Sequence, residues 1–199
     1  MKNRKIVLVA SFLTAMVLMT SCQGIRMKLK NFQEDFFGLS MTIQSYDEDS
    51  QIIDSLHGKS VSIERDKTFD SNEESSDSPV LRITVGKNVM NHVGSSLILY
   101  EDGLNDVFEE FTQRINVGDM DRSIPIMNRM FADMENKFTG RDKVILIRSQ
   151  NGTPLATFVG DKVSVYKTDV PKSTGILIDG KKLYIYRCDY TIYDRELFE

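Results

Sequence analysis

Residues 144–165, VILIRSQNGTPLATFVGDKVSV, constrain the fold more than any other stretch. Apolar residues flank the Ser149-Gln150-Asn151-Gly152 turn, a second apolar run follows, and Gly160-Asp161 turns the chain into a third. Asn-Gly supplies the positive φ angles that a tight hairpin needs, so the stretch predicts three short antiparallel strands. A fainter copy lies at 41–65. There Met41-Thr42-Ile43 reads as strand and Asp47–Ser50 as turn, Ile52-Ile53 and Leu56 as a second strand, and Val61-Ser62-Ile63 as an alternating third. Sliding the copies by 102 residues places Ile43, Gly58, Val61 and Ser62 on Ile145, Gly160, Val163 and Ser164, with no gap over 25 positions. Four identities are weak alone. The turns carry more weight: Asp49-Ser50 falls on Asn151-Gly152, and Gly86-Lys87 falls on Gly180-Lys181 at an offset of 94. The acidic, serine-rich run Phe69–Ser78 absorbs the difference as a surface loop. The pattern predicts an internal duplication.

Between the copies the period changes. Leu104, Val107, Phe108, Phe111 and Ile115 share one helix face, with Asp106 and Glu109 spaced as a capping box. Met127, Met130, Phe131, Met134 and Phe138 repeat the spacing, with Ser123 as N-cap, Pro125 in the first turn and Gly140 at the C-terminal cap. The second copy continues with Ser173–Ile178, the Asp179-Gly180-Lys181 turn and one long strand from Leu183 to Tyr193. The expected fold is mainly β (α+β): two related small antiparallel β modules joined by a two-helix segment. A single β-sandwich with two covering helices is the alternative. The expected organisation is a signal at 1–21, an anchor and tether at 22–37, a first β module at 38–103, a helical connector at 104–140 and a second β module at 141–199.

The N-terminus sets the expected compartment. Lys2, Arg4 and Lys5 precede an apolar core from Ile6 to Met19, the form of a secretory signal and too short for a good membrane span. Thr20-Ser21-Cys22 then resembles a lipobox, whose cysteine takes a diacylglyceryl group. Each buried methylene contributes roughly 0.8 kcal/mol, so two or more acyl chains make a stable anchor. The expected location is the outer face of the cytoplasmic membrane, held by Cys22. Without residues 1–21 the net charge moves from −4 (25 basic, 29 acidic) to −7 (22 basic, 29 acidic). An acidic chain argues against nucleic acid as a partner. Cys188 is then the remaining thiol, in an apolar strand, and reads as an inert buried group.

Four phrases carry a resemblance: HVGSSLILYEDGL (92–104), IPIMNRMFADMENKFTG (124–140), RSQNGTPLATFVGDKVS (148–164) and DVPKSTGILIDGKKLYIYRCDYTIYD (169–194). With the lipobox and Gly38-Leu39-Ser40-Met41-Thr42, they resemble a family of uncharacterised small lipoproteins from Gram-positive gut bacteria, catalogued as a domain of unknown function. The first turn departs from the usual Asp-Gly, having Asp49-Ser50. The resemblance implies the anchor and implies no activity, substrate or catalytic residue.

The residues offer little catalytic chemistry. His57 and His92 have no cysteine or second histidine at ligand spacing, and Asp47-Glu48-Asp49 lacks the further oxygen ligands of a calcium loop. No Gly-x-Ser-x-Gly elbow or Gly-rich phosphate loop is present. No metal, cofactor or catalytic residue is therefore expected. Two features could bind a partner. Tyr184, Tyr186 and Tyr190 fall on one face of the long last strand, where exposure would let them stack on sugars or a peptide. The competing reading is a central strand covered on both faces. Met127, Met130 and Met134 could line an adaptable groove, though beside Phe131 and Phe138 they read more readily as core. The expected function is non-catalytic binding of an envelope ligand or protein. An envelope-acting hydrolase and a structural subunit of a surface assembly are the alternatives, and His57 and His92 gathered in one cleft with an acid would favour the hydrolase.

Overall fold

The computed structural model describes residues 36–47, 49–66, 68–69, 80–114 and 125–198. The described part of the first copy holds β1 (Ser40–Tyr46), β2 (Ile52–Lys59), β3 (Val61–Arg65), β4 (Leu81–Val85), β5 (Asn88–His92) and β6 (Ser96–Glu101). The helices are α1 (Val107–Arg114), α2 (Ile126–Asp133) and α3 (Glu135–Phe138). The second copy holds β7 (Lys143–Arg148), β8 (Pro154–Gly160), β9 (Val163–Lys167), β10 (Ser173–Ile178), β11 (Lys181–Tyr186) and β12 (Asp189–Asp194), followed by a 3-10 turn at Arg195–Phe198. The fold is mainly β, with all described pairings antiparallel.

The strands form three open sheets, ordered β2-β1-β6-β11-β10-β9, β12-β7-β8 and β3-β4-β5. The order repeats: β2-β1-β6 matches β8-β7-β12, and β3-β4-β5 matches β9-β10-β11. Register repeats with it. Ile43 faces Leu56 as Ile145 faces Phe158, and the same bulge sets Tyr46 against Ile52 and Arg148 against Pro154. Beyond β3 the registers fix the offset at 93, not the 94 read from the Gly-Lys pairs. Leu81 faces His92 as Thr174 faces Ile185, and Tyr46 faces Ser96 as Arg148 faces Asp189. The left-handed residue of the turn is what is shared: Gly86 (φ 61) takes the place of Asp179 (φ 51).

The halves interlock, because β6 pairs with β11 and so joins strands of both into the six-stranded sheet. Period-two alternation sends Leu97, Leu99, Tyr184 and Tyr186 to one face, where they pack with Val61, Ile63, Leu81 and Ile83 of the β3-β4-β5 sheet. Ile98, Leu183 and Ile185 go to the other, against Ile145 and Ile147 of β7 and Phe158 of β8. The far side of β7 presents Val144 and Leu146 to Phe111, Met130, Met134 and Phe138. Three sheets and a helical layer are thus stacked, and the methionines fill the last core.

Two predicted elements are broken. The strand expected from Leu183 to Tyr193 divides at Arg187 (φ 53) and Cys188, and its halves enter different sheets. The second helix breaks at Met134 (φ −126, ψ 29). Its start is Pro125 with no side-chain cap; Ser123 lies outside the described residues, as do Ile115 and residues 70–79. Gly140 adopts φ 74 just beyond α3, as a helix C-terminus favours.

Candidate functional site

The two β-hairpin turns are built alike. At the first, Asp47 N donates to Gln51 O (3.0 Å) and Ser50 N to Asp47 O (3.2 Å). At the second, Ser149 N donates to Thr153 O (2.8 Å) and Gly152 N to Ser149 O (2.9 Å). Ser50 and Gly152 hold the matching positive φ, 65° and 89°. The copies meet at these turns, where Ser50 Oγ lies 3.5 Å from Ser149 Oγ.

Beside that contact opens a cleft of 680 Å³. Its walls are Tyr46 and Asp47 at the end of β1, Gly94, Ser95 and Ser96 at the start of β6, Ser149, Gln150 and Asn151 of the second turn, and Arg187 between β11 and β12. The lining pairs equivalent positions from the two copies. Asp47 corresponds to Ser149 and Gly94 (φ 96) to Arg187 (φ 53). Arg187 is held by its backbone: its N donates to Lys172 O (2.9 Å), and its carbonyl accepts from Ser96 Oγ (2.9 Å). Asp47 Oδ1 accepts from Gln51 N (2.8 Å), so this carboxylate is already fixed by its own turn. Tyr46 closes the inner end, its hydroxyl donating to Gln44 Oε1 (2.9 Å), and burial pushes its phenol far above the ordinary range. Among the described residues the cleft therefore offers hydroxyls, amides, one acid and one base.

The tyrosine strip is not assembled. Tyr184 and Tyr186 are 0% exposed within the first core, while Tyr190 sits half-buried on β12 beside the second. The break at Arg187 puts Tyr190 in another sheet, which the assumption of one continuous strand could not anticipate. Tyr184 meets Phe36 edge-on at 6.3 Å, and Tyr186 meets His92 at 6.1 Å. Cys188 Sγ donates to Tyr186 O (3.2 Å), and burial pushes its thiol up to about 12. Cys22 lies outside the described residues.

The histidines stand apart. His57 is exposed on β2, with Nε2 3.0 Å from Asp102 Oδ1. His92 is buried at the end of β5, with Nε2 2.9 Å from Ser95 O. The β1–β6 ladder runs from Met41 and Glu101 at the His57 end to Tyr46 and Ser96 at the His92 end. At roughly 3.3 Å per residue this ladder is about 17 Å long, and the histidines lie towards its opposite ends. Among the described residues no cluster of three or more His, Cys, Asp or Glu side chains could hold a metal, and no helix is long and apolar enough to cross a membrane.

A buried acid was visible in sequence only as a helix cap. Asp106 Oδ1 accepts from Phe108 N (2.9 Å) at the start of α1 and from Thr157 N (2.8 Å) on β8. Burial pushes its carboxyl up to about 7, although bonds from the backbone of Thr157, Glu109 and Phe108 pull the other way. It fastens the helical layer to the edge of the β12-β7-β8 sheet, near enough to Tyr46 for its charge to raise that phenol further.

Fold and site together define a mainly β protein whose two matching halves enclose a polar cleft at their contact. The chain belongs to the family defined by a domain of unknown function, DUF5052, which matches residues 4–198. Comparison with curated proteins and with solved structures gives no match.

Proposed function

We propose that this chain is a lipid-anchored envelope protein of a Gram-positive bacterium, tethered through Cys22, that binds a small polar ligand without transforming it. The observation carrying the binding reading is the cleft where the two hairpin turns converge. Its 680 Å³ lies within the ~300–1,000 Å³ common for small-molecule sites. Its wall is hydroxyl- and amide-rich, with Asp47 and Arg187 as opposite charges, which suits a zwitterion or a polyhydroxylated molecule. Ser95, Ser96 and Ser149 border the cleft, and the nearest imidazole, His92, uses Nε2 on the Ser95 carbonyl, so no serine hydroxyl there is bonded to an imidazole base. That placement favours binding over hydrolysis. The anchor rests on Thr20-Ser21-Cys22 behind the signal-like segment, and the repeated order and register support an internal duplication.

The test is ligand-observed NMR on the full chain in detergent, with a panel of sugars, amino acids and short peptides. Arg187→Asn keeps a residue that tolerates positive φ while removing the base. The expected result is at least a tenfold loss of affinity for whichever compound binds, in Arg187→Asn or Asp47→Asn. Affinity unchanged in both variants refutes the cleft as the site. Mass spectrometry of the chain against Cys22→Ser reads the anchor independently, and loss of no lipid mass refutes it.

A further inference from the structure

The two copies differ most sharply along their outer hairpin strands. In the second copy β8 is the edge of its sheet, and α1 lies against it. There Leu155 and Phe158 are 4% and 0% exposed, and the outward N–H of Thr157 is bonded by the Asp106 carboxylate. At 102 residues earlier the same hairpin positions are Ile53, Ser55 and Leu56 on β2, the edge of the six-stranded sheet. The apolar pattern is kept, but the cover is not. Ile53 is 58% exposed, Leu56 45% and Ile52 42%, and among the described residues β2 contributes to none of the three cores. The opposite edge, β9, is shorter, and its Val163 and Tyr166 pack against the cores.

We propose that β2 is a self-association edge, on which β2 of a second copy pairs antiparallel across a twofold axis at Leu56. Thr157 shows which groups point outward in this hairpin, because its N–H turns away from β7 to meet Asp106. By the shared register, Ser55 turns the same way on β2, and so do His57 and Lys59, two and four residues on. A row of outward donors and acceptors is satisfied by another strand, and long apolar edges left open are templates for such pairing. Of the registers that align these groups, only one brings Leu56 against its own symmetry mate. It sets Ser55 opposite His57 of the second copy and Asp54 opposite Gly58. A register shorter by two would place the two Asp54 carboxylates diagonally across the interface, and a register longer by two would oppose two His57 rings. Separation of like charges and Leu–Leu contact therefore select the same alignment. The second copy is the occupant because this strand is complementary to itself. The pairing extends a six-stranded sheet to twelve and does not involve the cleft.

Residues facing one another in a narrow antiparallel pair have Cβ atoms about 4.5–5.5 Å apart, close to the reach of a disulfide. The test uses the full-length chain in cells, treated with a mild oxidant and separated without reductant. Leu56→Cys should give a disulfide-linked dimer, while the wild-type chain, which carries Cys22 and Cys188, and Val165→Cys on the β9 edge stay monomeric. Adding Ser55→Pro to Leu56→Cys should abolish the dimer. This proline removes only an outward N–H, so circular dichroism of the variant should match wild type. A monomeric Leu56→Cys chain overturns the proposal. So do equal cross-linking at Val165→Cys and capture of a different protein at position 56.

Discussion

Asp106→Asn offers a measurement whose sign and size both follow from the structure. The carboxyl is 7% exposed, and burial moves its titration from 3.8 to about 7. Between those values the folded chain holds a proton that the unfolded chain has released, so stability falls as pH rises through this window. At roughly 1.4 kcal/mol for each tenfold change, the loss approaches about 4 kcal/mol by pH 7 and is complete above it. Asparagine does not titrate, yet its Oδ1 can still accept from Phe108 N and Thr157 N. The advantage of Asp106→Asn over wild type should therefore grow by about 3 kcal/mol between pH 4.5 and pH 8. The phenols of Tyr46 and Tyr100, which the Asp106 charge raises, stay protonated up to pH 8 in both chains, so the difference between the curves reports Asp106. The chain has no tryptophan, which makes urea unfolding followed by far-ultraviolet circular dichroism from pH 4.5 to 8 the suitable assay. Asp106→Ala separates titration from bonding: it strands buried N–H groups on α1 and β8 and, because alanine does not titrate either, should lie about 3 kcal/mol below Asp106→Asn at every pH. Parallel wild-type and Asp106→Asn curves, or an advantage that shrinks as pH rises, would refute the argument.

Two further tests concern the matched corners and the thiol. A Cβ on Gly58 would lie 2.1 Å from Val85 Cγ1, and one on Gly160 would lie 2.4 Å from Ile178 Cγ2 and 2.9 Å from Asp179 Oδ2. Each change to alanine should cost about 1–3 kcal/mol in denaturant unfolding. The Gly160→Ala cost should be the larger, because Asp179 also accepts from the N–H groups of Asp161 and Lys162. Val85→Ala should recover part of the Gly58→Ala loss, and full tolerance of both glycine changes would contradict the packing. Cys188, partly buried and with its thiol pushed up to about 12, should react with iodoacetamide at pH 8 far more slowly than an exposed thiol. Labelling of the native chain at the rate of an exposed thiol would contradict its burial.

What the sequence made legible was local. Ser149–Gly152 announced a hairpin because a left-handed turn residue is written into the Asn-Gly pair, and period-two alternation then fixed the strands on either side. The later half of the repeat misled by one residue, since matching Gly-Lys dipeptides tracks side-chain identity, whereas the turn requires a left-handed residue that Gly86 and Asp179 both provide. Arg187 and Met134 break their elements without glycine or proline to signal it. At Arg187 the chain is held by partners distant in sequence, Lys172 and Ser96. The cleft was illegible for the same reason. It collects residues from four separate connections, none of which carries chemistry alone. Asp106 was half legible: its place before α1 is a local capping signal, but its bond to Thr157 spans 51 residues.

Comparing the copies with each other sorts these features better than reading either alone. Positions that agree in conformation serve the fold, as the shared bulge, the paired turns and the crowded Gly58 and Gly160 show. Positions that share a backbone but differ in side chain or cover are free of that duty. Asp47 against Ser149 and Gly94 against Arg187 give the cleft its two charges, although the underlying turns alone would have been satisfied by neutral residues. Ile53 and Leu56 against Leu155 and Phe158 keep an apolar pattern on an edge that leaves about half of each side chain in solvent. A repeat that folds through its similarities leaves its differences to explain, and both proposals made for this protein lie at such differences.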